Sequence, residues 1–195
     1  MRMFHNEGRA FNPDEAATVT LFNEYFGGGM NGIVFQELRE ARGLAYNAFA
    51  LYNRPSKANK PESFFTHIIT QNDKMMDCVR QFHQILDSIP QSEAAFQIAK
   101  DAVVKQLASQ RTQKMNVLYS YLTMKRLGLD YDLNEKLYRD VQKLTLQDII
   151  SFEQQQMARK PYRYLILGDE KELDIPSLEK IAPIRRLTLE EVFGY

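Results

Sequence analysis

Apolar positions along this chain switch between two spacings, and each switch marks an element. Arg2–Asn6 reads as a short strand, and Asn12-Pro13-Asp14-Glu15 reads as a helix start. Asn12 can cap, Pro13 suits the first helical position, and Glu15 can close a capping box. That helix is expected to reach Phe26, where Gly27-Gly28-Gly29 interrupts it. A second helix follows from about Met30 to Arg42, with Ile33, Val34, Leu38 and Ala41 along one side. Gly43 ends it, and the period drops to two over Ala45–Tyr52. Tyr46, Ala48, Ala50 and Tyr52 should point one way, and Asn47, Phe49 and Leu51 the other. Asn53–Pro61 is an exposed turn by composition, and Ser63–Thr70 completes a hairpin.

The helical period returns between Asp73 and Ser88 at Met76, Val79, Phe82, Ile85 and Leu86. After the break at Pro90-Gln91-Ser92, a long helix carries Phe96, Ala99, Val103, Leu107 and Gln110 on one face. Three more helices are expected over Lys114–Leu127, Asn134–Lys143 and Leu146–Met157, the last opened by a Thr145/Asp148 capping box. Tyr162–Leu167 is a compact apolar strand closed by Gly168-Asp169. A short helix near Ile175–Lys180 and a strand near Ile184–Leu189 finish the pattern. Strands, then helices, then a strand predict an α+β fold: one mainly antiparallel sheet packed against a layer of helices. The 195 residues are expected to form a single domain.

Composition narrows the function classes. Lys plus Arg is 25 and Asp plus Glu is 25, so no net charge favours nucleic acid or an anionic membrane. One cysteine, Cys78, excludes an intramolecular disulfide and a multi-cysteine zinc site. No apolar run approaches a membrane span, and the first residues lack a signal peptide's apolar stretch and cleavage site. The chain is therefore expected to be soluble, with its compartment left open.

Motifs that carry chemistry on their own are missing. The glycine run lacks the Gly-Lys-Ser/Thr ending of a phosphate loop and follows a helix, so it reads as a flexible corner. His5, His67 and His83 include no pair at the spacing that aims two imidazoles at one zinc, and each suits a surface or core-edge position. Cys78 sits in a helix with no histidine nearby in sequence, which suits a buried or half-buried thiol. Arg39 and Tyr46 stand on either side of Gly43. A helix–Gly–strand corner can bring a guanidinium and a phenol to one edge of a cleft, and it equally suits an interfacial arginine and a core-edge tyrosine.

The run from Leu21 to Met30, LFNEYFGGGM, followed by FQELREARGLAY from Phe35 to Tyr46, resembles the insulinase/pitrilysin-like zinc metallopeptidase family, and within it the second, zinc-lacking half. The resemblance runs from about Asp14 to Gln110, and beyond that it rests on the order of elements. It implies an α+β half that closes with a zinc-bearing half around a chamber. Zinc in the partner half would activate a water, a Glu of that half would take its proton, and the hydroxide would attack the peptide carbonyl. Arg39 and Tyr46 match the arginine and tyrosine that the second half commonly supplies. Tyr46 would be the oxyanion donor, and Arg39 with Tyr46 would bind substrate.

The chain itself holds no zinc motif, so no cofactor is expected in it and no peptide hydrolysis is expected from it alone. It is expected to be a piece of a longer protein or a separately encoded subunit. Its expected partners are the zinc-bearing half and a peptide substrate, with a homodimer of the isolated chain as a further expectation. The alternative is a structural or peptide-binding subunit that keeps the fold and catalyses nothing.

Overall fold

A computed structural model describes residues 1–109 and 114–195, without the side chains of Lys114 and Met115. Gln110, placed by the periodicity on the long helix's apolar face, lies outside the described residues. Four strands, β1 (Arg2–His5), β2 (Asn47–Asn53), β3 (Ser63–Ile69) and β4 (Arg163–Leu165), form one sheet in the order β2-β3-β1-β4. Every neighbouring pair is antiparallel. The β2–β3 hairpin pairs along its whole length, from Asn47 opposite Ile69 to Asn53 opposite Ser63. Its period of two puts Ala48, Ala50, Tyr52, Phe64, Thr66 and Ile68 on the buried face and leaves Phe49, Leu51, Phe65 and His67 half-buried on the other.

Helices cover the buried face. α1 (Ala16–Phe22) continues into a π turn over Asn23–Gly27, and α2 (Ile33–Phe35) continues into a second π turn over Gln36–Glu40. Then come α3 (Met75–Asp87), α4 (Glu93–Ser109), α5 (Lys114–Arg126), α6 (Leu133–Val141) and α7 (Leu146–Gln156). α3 shows why the layer forms. Cys78, Val79, Phe82, Ile85 and Leu86 turn inward at helical spacing while Asp77, Arg80, Gln84 and Asp87 face water. Phe22 stacks on Phe26 at 4.9 Å between centroids, Phe26 meets Phe82 edge-on at 6.3 Å, and Phe152 of α7 tilts against Phe22 at 5.5 Å. Each of these buried rings contributes roughly 1.5–3 kcal/mol by leaving water. One apolar cluster joins Met3 of β1, Phe64 of β3, Phe82 of α3, Val103 of α4 and Phe152 of α7.

The helix caps follow their chemistry. Thr145 and Asp148 form the reciprocal box at the start of α7. Asn12 caps a 3₁₀ turn, Pro13–Glu15, that leads into α1, and Glu15 accepts from the Asn12 side chain at 2.8 Å. The segment from Ile184 to Leu189 corrects the expectation of a strand. Thr188 and Glu191 form a capping box that starts the short helix α9 (Leu189–Phe193), after α8 (Ile175–Glu179). Arg186 pairs with Glu170 and Arg185 with Glu191, while Ile184 packs on a small cluster of Met75, Met76 and Leu178. These contacts hold the segment to the helices, so it has no need of a strand partner.

One core position breaks the polarity rule. Glu153 of α7 shares its face with Ile149, Ile150 and Phe152, is fully buried, and has neither carboxylate oxygen hydrogen-bonded. Burial, with Asp87 adding a like charge, pushes its pKa up to about 8. The folded state therefore binds a proton that the unfolded chain releases near pH 4.5. The stability this confers is fully present below that value and is lost as pH rises towards 8, by up to about 1.4 kcal/mol per pH unit. Glu153→Gln should flatten that slope and raise stability above neutrality. Urea unfolding at pH 5, 6.5 and 8 checks it, and an unchanged slope in the variant contradicts it.

Candidate functional site

The corner between α2 and β2 is built by an unusual helix end. The π turn carries Leu38 into the core and Arg39 outward. Gly43 then adopts φ +57°, a left-handed conformation that a Cβ would strain. Its N–H bonds the Arg39 carbonyl at 2.9 Å, and the Leu44 N–H bonds the Leu38 carbonyl at 2.8 Å. Both bonds span one residue more than in the usual Schellman closure, because the turn before them is π.

β2 then begins with an irregularity that decides where Tyr46 goes. The Tyr46 N–H donates to the Ile69 carbonyl at 2.8 Å, although Asn47 is the register partner of Ile69. Two residues thus oppose one, the arrangement of a β-bulge, which re-aims a side chain. Strict alternation would bury Tyr46 beside Ala48. Instead its side chain is turned out and is 77% exposed.

The structure brings Arg39 and Tyr46 together across this corner. The Arg39 guanidinium carbon lies 4.8 Å from the centroid of Phe35, one turn earlier, and 5.7 Å from that of Tyr46. Both separations suit cation–π attraction, worth roughly 0.5–1 kcal/mol each at a partly exposed site. Arg39's nearest carboxylate is the exposed Glu40, at 3.7 Å. Among the described residues, neither the guanidinium nor the Tyr46 hydroxyl has an intramolecular hydrogen bond shown. The rings orient the fork, and its donors stay available for a carbonyl or carboxylate. Phe35 is the member of this group that the sequence reading missed, although its i, i+4 spacing to Arg39 is visible there.

Beside the pair lies an open cleft of about 560 Å³, lined by Glu24, Gly28, Phe35, Ala48, Arg54 and Val103 among others. Arg39 and Tyr46 do not line it themselves; Phe35 and Asn47, their neighbours, do. The glycine run, expected as a flexible corner, forms one wall: its exposed end, Gly29, has φ +63° and open space around it, whereas Gly27 is packed on β2. A Cβ on Gly27 would stand 1.8 Å from the Ala50 carbonyl oxygen. Next to it Asn23 stands in for a neighbouring strand: Tyr52 N–H donates to its Oδ1 at 2.7 Å, and its Nδ2 donates to the Tyr52 carbonyl at 3.0 Å.

Among the described residues the histidines do not converge as zinc ligands. His5 contacts the Pro161 carbonyl, His67 accepts from Arg2, and His83 pairs with the Tyr164 hydroxyl, so each is engaged separately. Among the described residues no three His, Cys, Asp or Glu side chains gather as cation ligands. Cys78 is buried, donates to the Leu44 carbonyl at 3.3 Å, and has its thiol pKa pushed up by burial, as suits an inert thiol. Among the described residues no helix is long and apolar enough to cross a membrane.

The family described as the peptidase M16 inactive domain matches residues 3–103. This chain belongs to it. The match holds the whole corner, with Glu24, Arg39 and Tyr46 inside it and Val103 at its end. Solved structures repeat the fold. The inactive peptidase domain of a candidate zinc protease from Bordetella parapertussis superposes with a TM-score of 0.68 at 14% identity, over 87% of this chain and 92% of that one. The peptidase M16 inactive domain from Pseudomonas fluorescens gives 0.66 at 19% identity, over 83% of this chain and 38% of that one. A protease from Helicobacter pylori gives 0.64 at 11% identity, over 80% and 37%. The chain thus spans under two fifths of the latter two proteins. No curated protein matches the chain.

Proposed function

We propose that this chain is the substrate-binding half of a zinc-dependent metalloendopeptidase, and that the metal is held by a partner half. The observation that carries the reading is the Arg39 guanidinium lying against the Phe35 and Tyr46 rings at a re-aimed corner, in a domain of the M16 inactive family. Tyr46 offers an unengaged hydroxyl on an exposed ring, and its role is to donate a hydrogen bond to the oxyanion that develops on the scissile carbonyl. Arg39 presents a planar set of donors whose orientation is set by two rings, and its role is to hold a substrate carbonyl or carboxylate. Preorientation matters here because a donor already in place costs no reorganisation during the reaction. In this reading the zinc and the water it activates belong to the partner half, which fits the lack of a cluster of cation ligands among the described residues. Peptide hydrolysis measured on the halves apart and combined tests the reading, and cleavage is expected from the combination.

A further inference from the structure

The cleft beside the Arg39–Tyr46 corner contains a carboxylate with no partner shown among the described residues. Glu24 lies in the π turn that ends the first helix, its carboxyl half-buried against Gly28, where a glycine Cβ would come within 3.3 Å of Oε2. No hydrogen bond or ion pair to Glu24 is shown among the described residues. Arg54 lines the same cleft with its Nη1 buried and unbonded, and the neighbouring charge that acts on it is Glu62, not Glu24. For Glu24, burial alone raises the pKa, and no neighbouring charge offsets it. A carboxylate left this way in a cavity is complementary to a cation brought by a ligand.

The rest of the cleft describes what carries that cation. Its wall includes the edge strand β2, whose Tyr52 backbone groups are taken by Asn23 and whose Ala50 backbone is pressed by Gly27. In an antiparallel strand alternate residues present their N–H and C=O to the same edge, so Ala48 turns the next pair of groups into the cleft. Those groups can pair with the main chain of an extended peptide. Met30, Leu51 and Val103 supply apolar wall on which the methylene stem of a long basic side chain can lie.

We infer that this cleft is a peptide subsite specific for a basic side chain, with Glu24 as the residue that determines the specificity and Ala48 as a main-chain anchor. The inference rests on reading the domain as a substrate-binding half, and its test reads binding alone, so a failure of hydrolysis is a separate result. The probes are two blocked heptapeptides of alanine and valine, one with a central lysine and one with norleucine in its place. Heteronuclear NMR titration of the chain should show the lysine peptide binding roughly tenfold or more tightly, with the amides of Gly28 and Ala48 shifting. Glu24→Gln should remove the difference between the two peptides without lowering the melting temperature. Gln106→Trp, an exposed position on the cleft wall, should weaken both by filling the space. Equal affinities in the unmodified chain, a lysine preference that survives Glu24→Gln, no binding of either peptide, or indifference to Gln106→Trp would each overturn the inference.

Discussion

Tyr46→Phe should lower kcat of the assembled two-half enzyme by roughly 10²–10³-fold, the usual loss for one oxyanion donor. The substitution removes one oxygen from a ring that is 77% exposed and whose hydroxyl has no intramolecular partner among the described residues. Stability should therefore move by no more than about 0.5 kcal/mol. Arg39→Ala should act differently. It removes a binding group together with its stacking on Phe35 and Tyr46, so its main effect is expected on KM. Arg39→Lys keeps the charge but loses the planar fork, and should recover only part of the binding. Steady-state kinetics with parallel thermal melts separate these effects. Unchanged kcat in Tyr46→Phe would leave the tyrosine as a fold residue and favour a structural or peptide-binding subunit.

Gly27→Ala should be the most damaging small change in the chain. The new methyl would fall 1.8 Å from the Ala50 oxygen and 2.6 Å from its carbonyl carbon, both backbone atoms that no rotamer can move. Relief requires the π turn to lift off β2, which would also pull Asn23 from its two bonds to Tyr52. The cost should be roughly 3–5 kcal/mol, at the upper end for overpacking. For a chain of this length that is a fall in melting temperature of roughly 10 °C. A melt within two or three degrees of the unmodified chain would mean that the corner yields easily.

Much of this architecture was legible in the chain. The alternation of Ala48, Ala50 and Tyr52, the helical spacing through Phe82 and Leu86, and the Thr145/Asp148 box each answer to a local rule, and the structure follows them. The proposed Arg39–Tyr46 corner was legible as a pair of residues, not as a geometry. Alternation counts Tyr46 with the buried set, because a β-bulge adds a residue without leaving a mark on periodicity. The π turns are equally silent, since five residues are too few to separate their period from that of an α-helix.

Long-range contacts account for the rest. Asn23 satisfying a strand 29 residues away, and Gly27 pressed on Ala50, come from tertiary approach, and the sequence shows only a polar residue and a glycine. At the other end, Ile184–Leu189 has strand-like composition, but the Thr188/Glu191 box and the pairing of Arg185 and Arg186 with acidic neighbours hold it to the helices.

The central claim is that this domain completes an active site it does not itself contain. Its most direct measurement is the hydrolysis rate of a quenched fluorescent peptide by a fixed amount of the zinc-bearing half, as this chain is added. The account predicts negligible rates from either half alone and a rate that rises and saturates at one chain per zinc half. A zinc half that is fully active by itself, with a rate that stays flat as the chain is added, would contradict it.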